Sequence, residues 1–158
     1  MCFSATASFS AGAVLVGLGT LTLKSASRPR EMVFAAIPVL FAVQQLSEGV
    51  IWLTFRYEAP QLNAAMTVVY SFFSHVLWPV YVPVAVLLME PSGWRRRALL
   101  AFVAAGIAVG AYLLYALVVY PIVSQPIGHH IEYVSPHFFA AGGDDAVPHV
   151  NHLKPVSV

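Results

Sequence analysis

The charged residues of this chain are gathered into a few short clusters, and the gaps between those clusters limit what it can fold into. Met1 to Leu23, Leu62 to Met89 and Ala98 to Ile131 contain no Asp, Glu, Lys or Arg, and Met32 to Phe55 contains only Glu48. The three later stretches are each long enough to cross a hydrocarbon core about 30 Å thick at ~1.5 Å of helical rise per residue. The first is strongly apolar only over Phe9 to Leu23, but its lead-in, Ala5 to Ser8, is made of small residues that close helix packing in lipid tolerates. An ordinary soluble domain carries roughly 25% charged residues. This chain carries 9%, with 59% hydrophobic. The expectation is an all-α transmembrane helical bundle of about four spans.

That bundle is expected over residues 1–120. The character changes after Tyr120, where residues 121–158 hold five prolines and five of the six histidines, too much punctuation for a fifth span. They read as an outer-side His/Pro-rich loop and an irregular tail. No charge precedes Lys24, so the first span lacks the positive leader of a cleaved signal peptide and reads as retained. A lone cysteine, Cys2, excludes an intrachain disulfide.

Lys and Arg in short loops set orientation. Lys24, Arg28 and Arg30 lie between spans one and two and Arg95, Arg96 and Arg97 between three and four, whereas spans two and three are joined past Arg56 alone. The basic loops therefore share the cytoplasmic side of a cell membrane, with the amino terminus outside. The short Arg95–Arg97 run is the one basic cluster and argues against a nucleic-acid partner. The lipid bilayer is the expected partner, and a bundle this small can also pack as a homo-oligomer or against other membrane helices.

The second stretch, "FAVQQLSEGVIWLTF", sets polar groups into an apolar helix. Gln44 and Gln45 precede Glu48 by four and three residues, so the three lie on adjoining parts of one face. Glu48 is about seven residues from the outer end, roughly 10 Å deep. A carboxylate there is costly and should face the bundle and a partner. His75, about nine residues from the outer side or roughly 13 Å deep, is the expected partner. Pro79 and Pro83 lack N–H groups and would leave the carbonyls of His75 and Pro79 without helical donors. A carboxylate, an imidazole and freed carbonyls at one level would form an ion, proton or polar-ligand site. Such groups also commonly do no more than join helices by hydrogen bonds.

On the outer side, "GHHIEYVSPHF" supplies His129, His130, Glu132 and His137. Imidazole suits zinc and its neighbours, so His75, His129 and His130 are the candidate ligands for a transition metal, although their spacing matches no standard motif.

The blocks "MCFSATASF", "AAIPVLFAVQQLSEGVIW", "SHVLWPVYVP" and "GHHIEY" together resemble an uncharacterised family of bacterial multi-spanning integral membrane proteins that carries a domain-of-unknown-function label. The resemblance runs from Met1 to about Phe139 and implies an integral membrane fold. Full-length relatives look like bundles of about seven helices, so this chain looks C-terminally shortened or divergent after "PHFF". A more distant similarity in chemistry, to membrane-embedded zinc hydrolases of the ceramidase kind, extends only to the use of histidines and acidic groups.

Three functions are compatible with these residues. The first is a Glu48/His75 site, flanked by Gln44 and Gln45, that binds an ion, proton or small polar ligand for transport or sensing. The second is a metal-dependent hydrolase acting on a lipid-like substrate, with Glu48 as general base. The third is a structural membrane subunit without activity of its own.

Overall fold

A computed structural model describes residues 4–91, 93–128 and 130–135. Six α-helices follow one another: α1 Ala5–Ser25, α2 Pro29–Ala35, α3 Ile37–Arg56, α4 Pro60–Ser71, α5 Trp78–Met89 and α6 Trp94–Val119, with a π-helical turn, Phe72–Leu77, between α4 and α5. Grouped by continuity they make four helices long and apolar enough to cross a membrane, Ala5–Ser25, Pro29–Arg56, Pro60–Met89 and Trp94–Val119. This is the all-α bundle of four spans expected from the charge-free stretches.

Two spans are broken in mid-course. Pro38 has no N–H to return to the carbonyl of Phe34, and the ladder between α2 and α3 is interrupted at Ala36. Neighbouring helices answer the carbonyls around the break: Thr22 Oγ1 donates to Ala35 O at 2.8 Å and Tyr81 Oη donates to Val33 O at 2.7 Å. In the third span, His75 Nδ1 lies 3.0 Å from Ser71 O and Ser74 Oγ donates to the same oxygen at 3.4 Å. Side chains competing for a ladder carbonyl widen the turn, which is where the π-helical segment lies.

Helix contacts are set by glycine. On α1, Gly12 and Gly19 are buried against Leu46 and Val39 of α3, and Phe9 covers Gly49. Gly106 and Gly110 are the two buried residues of α6. A β-carbon on Gly106 would overlap the Pro79 carbonyl oxygen, and one on Gly110 would come within 3.3 Å of Val76 O. Pro83 deprives Pro79 O of its helical donor, and the bare backbone of Gly106 covers that oxygen. The freed carbonyl anticipated as part of a polar site is thus turned toward α6.

Beyond Tyr120, the loop expected there gives way over Val123–Val134 to a hairpin of β1 (Val123–Ile127) and β2 (His130–Val134), paired antiparallel from Val123↔Val134 to Ile127↔His130. Gly128 opens its two-residue turn with φ +59°, a conformation that glycine adopts without strain. Ser124 and Ile131 are the buried residues of the two strands. Cys2, His129, His137, His149, His152 and the tail lie outside the described residues.

These contacts make glycine at 106 a packing requirement. Gly106→Ala is expected to destabilise the bundle by about 1–3 kcal/mol, because backbone must move to admit the methyl group. Nothing lies within 4 Å of a β-carbon on Gly17, so Gly17→Ala should stay within about 0.5 kcal/mol of wild type. Equilibrium unfolding in mixed micelles, followed by circular dichroism, compares the two.

Candidate functional site

The face of α3 that carries Glu48 is polar along much of its length. Gln44, Ser47, Glu48 and Thr54 are all buried, with Glu48 at 0% exposure. Ile51 completes this stripe, whose members recur three or four residues apart. Gln45 lies on the adjoining part of the face, half-buried. Both Gln45 and Glu48 are engaged in polar or electrostatic interactions.

The facing helix carries a matching stripe. Asn63, Thr67 and Ser71 on α4 recur every four residues, and Thr67 and Ser71 are at 0% exposure. Two hydrogen bonds fix the stripes against each other. At the deep end, Trp78 Nε1 donates to Gln44 Oε1 at 2.7 Å, with the indole stacked on Phe41 at a centroid distance of 4.1 Å. At the outer end, Asn63 Nδ2 donates to Thr54 Oγ1 at 2.8 Å. Glu48 and Ser71 both fall between these two rungs.

The hairpin enters this seam through one hydroxyl. Thr67 Oγ1 donates to Ser124 Oγ at 3.0 Å, Ser124 Oγ donates to Asn63 Oδ1 at 2.8 Å, and Thr54 Oγ1 donates to Ile51 O at 2.6 Å. Joined by the Asn63–Thr54 bond, these form a continuous chain, Thr67 to Ser124 to Asn63 to Thr54 to Ile51 O. Along this chain Thr67 gives up its proton to Ser124 and keeps its lone pairs. Tyr70 stacked on Tyr133 at 4.6 Å holds the hairpin base against the same helix. Thr54 and Asn63 also line a cavity of about 510 Å³ between the α3–α4 turn and β1, with Glu58 at its rim.

His75 is placed elsewhere. Its Nδ1 is bonded within its own helix, to Ser71 O and, at 2.9 Å, to Ser74 Oγ. The ring is exposed and borders a smaller cavity of about 140 Å³ with Tyr112, Tyr120 and Ser135, on the α6 side. The structure therefore brings Gln44 and Glu48 onto one seam and sets His75 on another face.

The proposed metal ligands also separate. His130 is exposed at the hairpin tip, opposite Ile127, whereas His75 borders a cavity that includes Ile122 and Ser135 at the hairpin base. His129 is outside the described residues. Among the described residues no three His, Cys, Asp or Glu side chains gather as a metal site. The seam residues that the sequence reading did not count in the site are Thr54, Asn63, Thr67, Ser71 and Ser124. The i, i+4, i+8 spacing of Asn63, Thr67 and Ser71 is the signal that could have found three of them.

The chain belongs to a family of unknown function (DUF6629), which matches residues 1–140. Neither the curated proteins nor the solved structures contain a match to it.

If Ser124 ties the hairpin into the seam, its loss strands two buried partners. Ser124→Ala should cost about 1–3 kcal/mol, the penalty for leaving Thr67 and Asn63 unsatisfied. Thr67→Val in that background should cost less than it does alone, giving a coupling of at least about 0.5 kcal/mol in a double-mutant cycle. Additive losses would mean that the two hydroxyls do not act together.

Proposed function

We propose that this member of the family is a multi-pass integral membrane protein whose α3–α4 seam holds a Glu48-centred site for an ion, a proton or a small polar ligand, in transport or sensing. The observation that carries this reading is Glu48 itself: a carboxylate at 0% exposure, in a seam whose outer end meets a cavity of about 510 Å³. A group so costly to bury in an apolar bundle is a functional site by default. Gln44 and Trp78 close the deep end of the seam, and Thr54 and Asn63 stand between Glu48 and the cavity.

The loops that carry Lys24, Arg28 and Arg30 and Arg95 to Arg97 lie at one end of the bundle, the end where Leu21, Glu31 and Met89 border a common cavity. With that end in the cytoplasm of a cell membrane, the amino terminus, the hairpin and the mouth of the seam lie outside. His75 does not serve Glu48 as a partner in this arrangement. The hydrolase reading needs His75, His129 and His130 around one metal, and the distance along the hairpin between its tip and its base favours the ion or proton reading over it.

The reading is tested in proteoliposomes loaded with a pH-sensitive dye and challenged with cation and proton gradients. Glu48→Gln keeps shape and hydrogen bonding while removing the charge, and should abolish gradient-driven flux or reduce it by at least about tenfold while the variant purifies and unfolds as wild type does. His75→Ala should leave the flux within about twofold, because its hydrogen bonds stay within its own helix. Equal flux in wild type and Glu48→Gln would show that the carboxylate is structural. Elemental analysis of the same wild-type sample, finding about one transition metal per chain, would instead support the hydrolase.

A further inference from the structure

The turn between α3 and α4 is built around a residue whose place glycine would fill with less strain. α3 ends with Tyr57 N donating to Leu53 O at 3.0 Å, after which Ala59 N turns back to Thr54 O at 3.1 Å, the wide bond of a Schellman ending. Such an ending needs a left-handed residue just before the second donor, and Glu58 supplies it at φ +49°. Glycine takes this conformation without steric cost, and a residue with a β-carbon does not. The backbone bonds alone would therefore select glycine at 58. A glutamate held there against the local preference points to a use for its side chain.

Glu58 lines the cavity of about 510 Å³ between the α3–α4 turn and β1, a volume typical of small-molecule sites. It is the one charged residue among the nine that line it. Phe55, Ala59, Pro60, Ala64, Ile122 and Val123 make the rest of the wall apolar, apart from Thr54 and Asn63. Those two are tied to each other, to Ile51 O and to Ser124. Arg56, the base nearest in sequence, does not line the cavity, and among the described residues no ion pair joins it to Glu58. The cavity therefore offers one negative charge at its rim and a wall that is otherwise largely apolar.

We propose that this cavity binds a small organic cation, a protonated amine carried on an apolar body. The ammonium donates charge-assisted hydrogen bonds to the Glu58 carboxylate, and the body takes the apolar wall of Phe55, Pro60, Ile122 and Val123 out of water. A hard metal ion needs about six oxygen ligands, and the wall gives it one carboxylate beside two groups that are already bonded. An anion is repelled by Glu58, and a neutral apolar molecule gains nothing from it. The site is independent of the Glu48 reading, because Glu48 is fully buried and does not line the cavity.

The test uses the purified full chain in detergent, with thermal unfolding followed during titration with benzylammonium chloride. Benzyl alcohol and benzoate, which carry the same ring on a neutral and an anionic group, and methylammonium, which has no apolar body, are titrated at the same ionic strength. Wild type is expected to show a saturable rise in Tm with benzylammonium and none with the other three at the same concentrations. Glu58→Gln removes the charge and should raise the half-saturating concentration by about fivefold or more, as should Ala64→Phe, which fills the cavity. Glu58→Gly relieves the turn, so it should unfold no lower than wild type without ligand and yet lose the rise. Glu48→Gln should leave the half-saturating concentration within about twofold. An unchanged concentration in Glu58→Gln, or an equal rise given by benzyl alcohol, overturns the site. So does a wild type indifferent to benzylammonium, or a rise lost in Glu48→Gln and kept in Glu58→Gln.

Discussion

Within lipid, no water is present to answer a backbone N–H or C=O, so each break in a helix must be repaired by the protein itself. This chain breaks two of its four spans, and meets the first with side chains from neighbouring helices and the second with residues of the same span and a glycine of α6. At the α2–α3 break, Thr22 of α1 and Tyr81 of α5 donate to Ala35 O and Val33 O. In the third span, His75 and Ser74 occupy Ser71 O, and Gly106 of α6 lies over Pro79 O. The repairs are also the contacts that fix the bundle. They tie α1 and α5 to the second span and α6 to the third, so helix positions follow from where the carbonyls were released.

This division of labour leaves the α3–α4 seam free for a different use. Ala35 O and Val33 O are answered by Thr22 and Tyr81, and Pro79 O is covered by Gly106 on the α6 side, away from the seam. The seam instead presents side-chain oxygens: Gln44, Ser47, Glu48 and Thr54 on one side and Asn63, Thr67 and Ser71 on the other. Ser47 and Thr54 return their protons to carbonyls of their own helix, Val43 O and Ile51 O. A hydroxyl that has donated locally is left with lone pairs, which makes the seam richer in acceptors than in donors. Such a surface attracts cations and protons.

The spans were legible because lipid tolerates so few charges that their positions bracket each helix, and the four-span count follows from Lys24, Arg56 and Arg95 alone. The stripe of Gln44 and Glu48 was legible for the same reason, since polar groups in an apolar run stand out. His75 was matched to Glu48 by depth alone, and depth does not say which way a side chain faces; on the π-helical turn at Phe72–Leu77 it borders α6 residues instead. Asn63, Thr67 and Ser71 were not counted in the site because small polar residues are common where helices pack and carry no charge to mark them. The hairpin was hidden by its own punctuation: Pro126 and Gly128 read as loop, although a glycine opening a two-residue turn between "VSQPI" and "HIEYV" is equally a hairpin signature.

Ser124 makes the hairpin part of the seam's energetics. It accepts from Thr67 and donates to Asn63, so lifting β1 away would strip one buried donor and one buried acceptor of their partners at once. Each costs about 1–3 kcal/mol if nothing replaces it. Water entering from the cavity beside Asn63 can replace it, because it accepts from Thr67 Oγ1 and donates to Asn63 Oδ1 as the serine does. The hairpin is then most easily displaced when something is present to follow it into the seam. Hairpin position and hydration of the seam are thereby linked through a single hydroxyl that joins β1 to the α4 stripe.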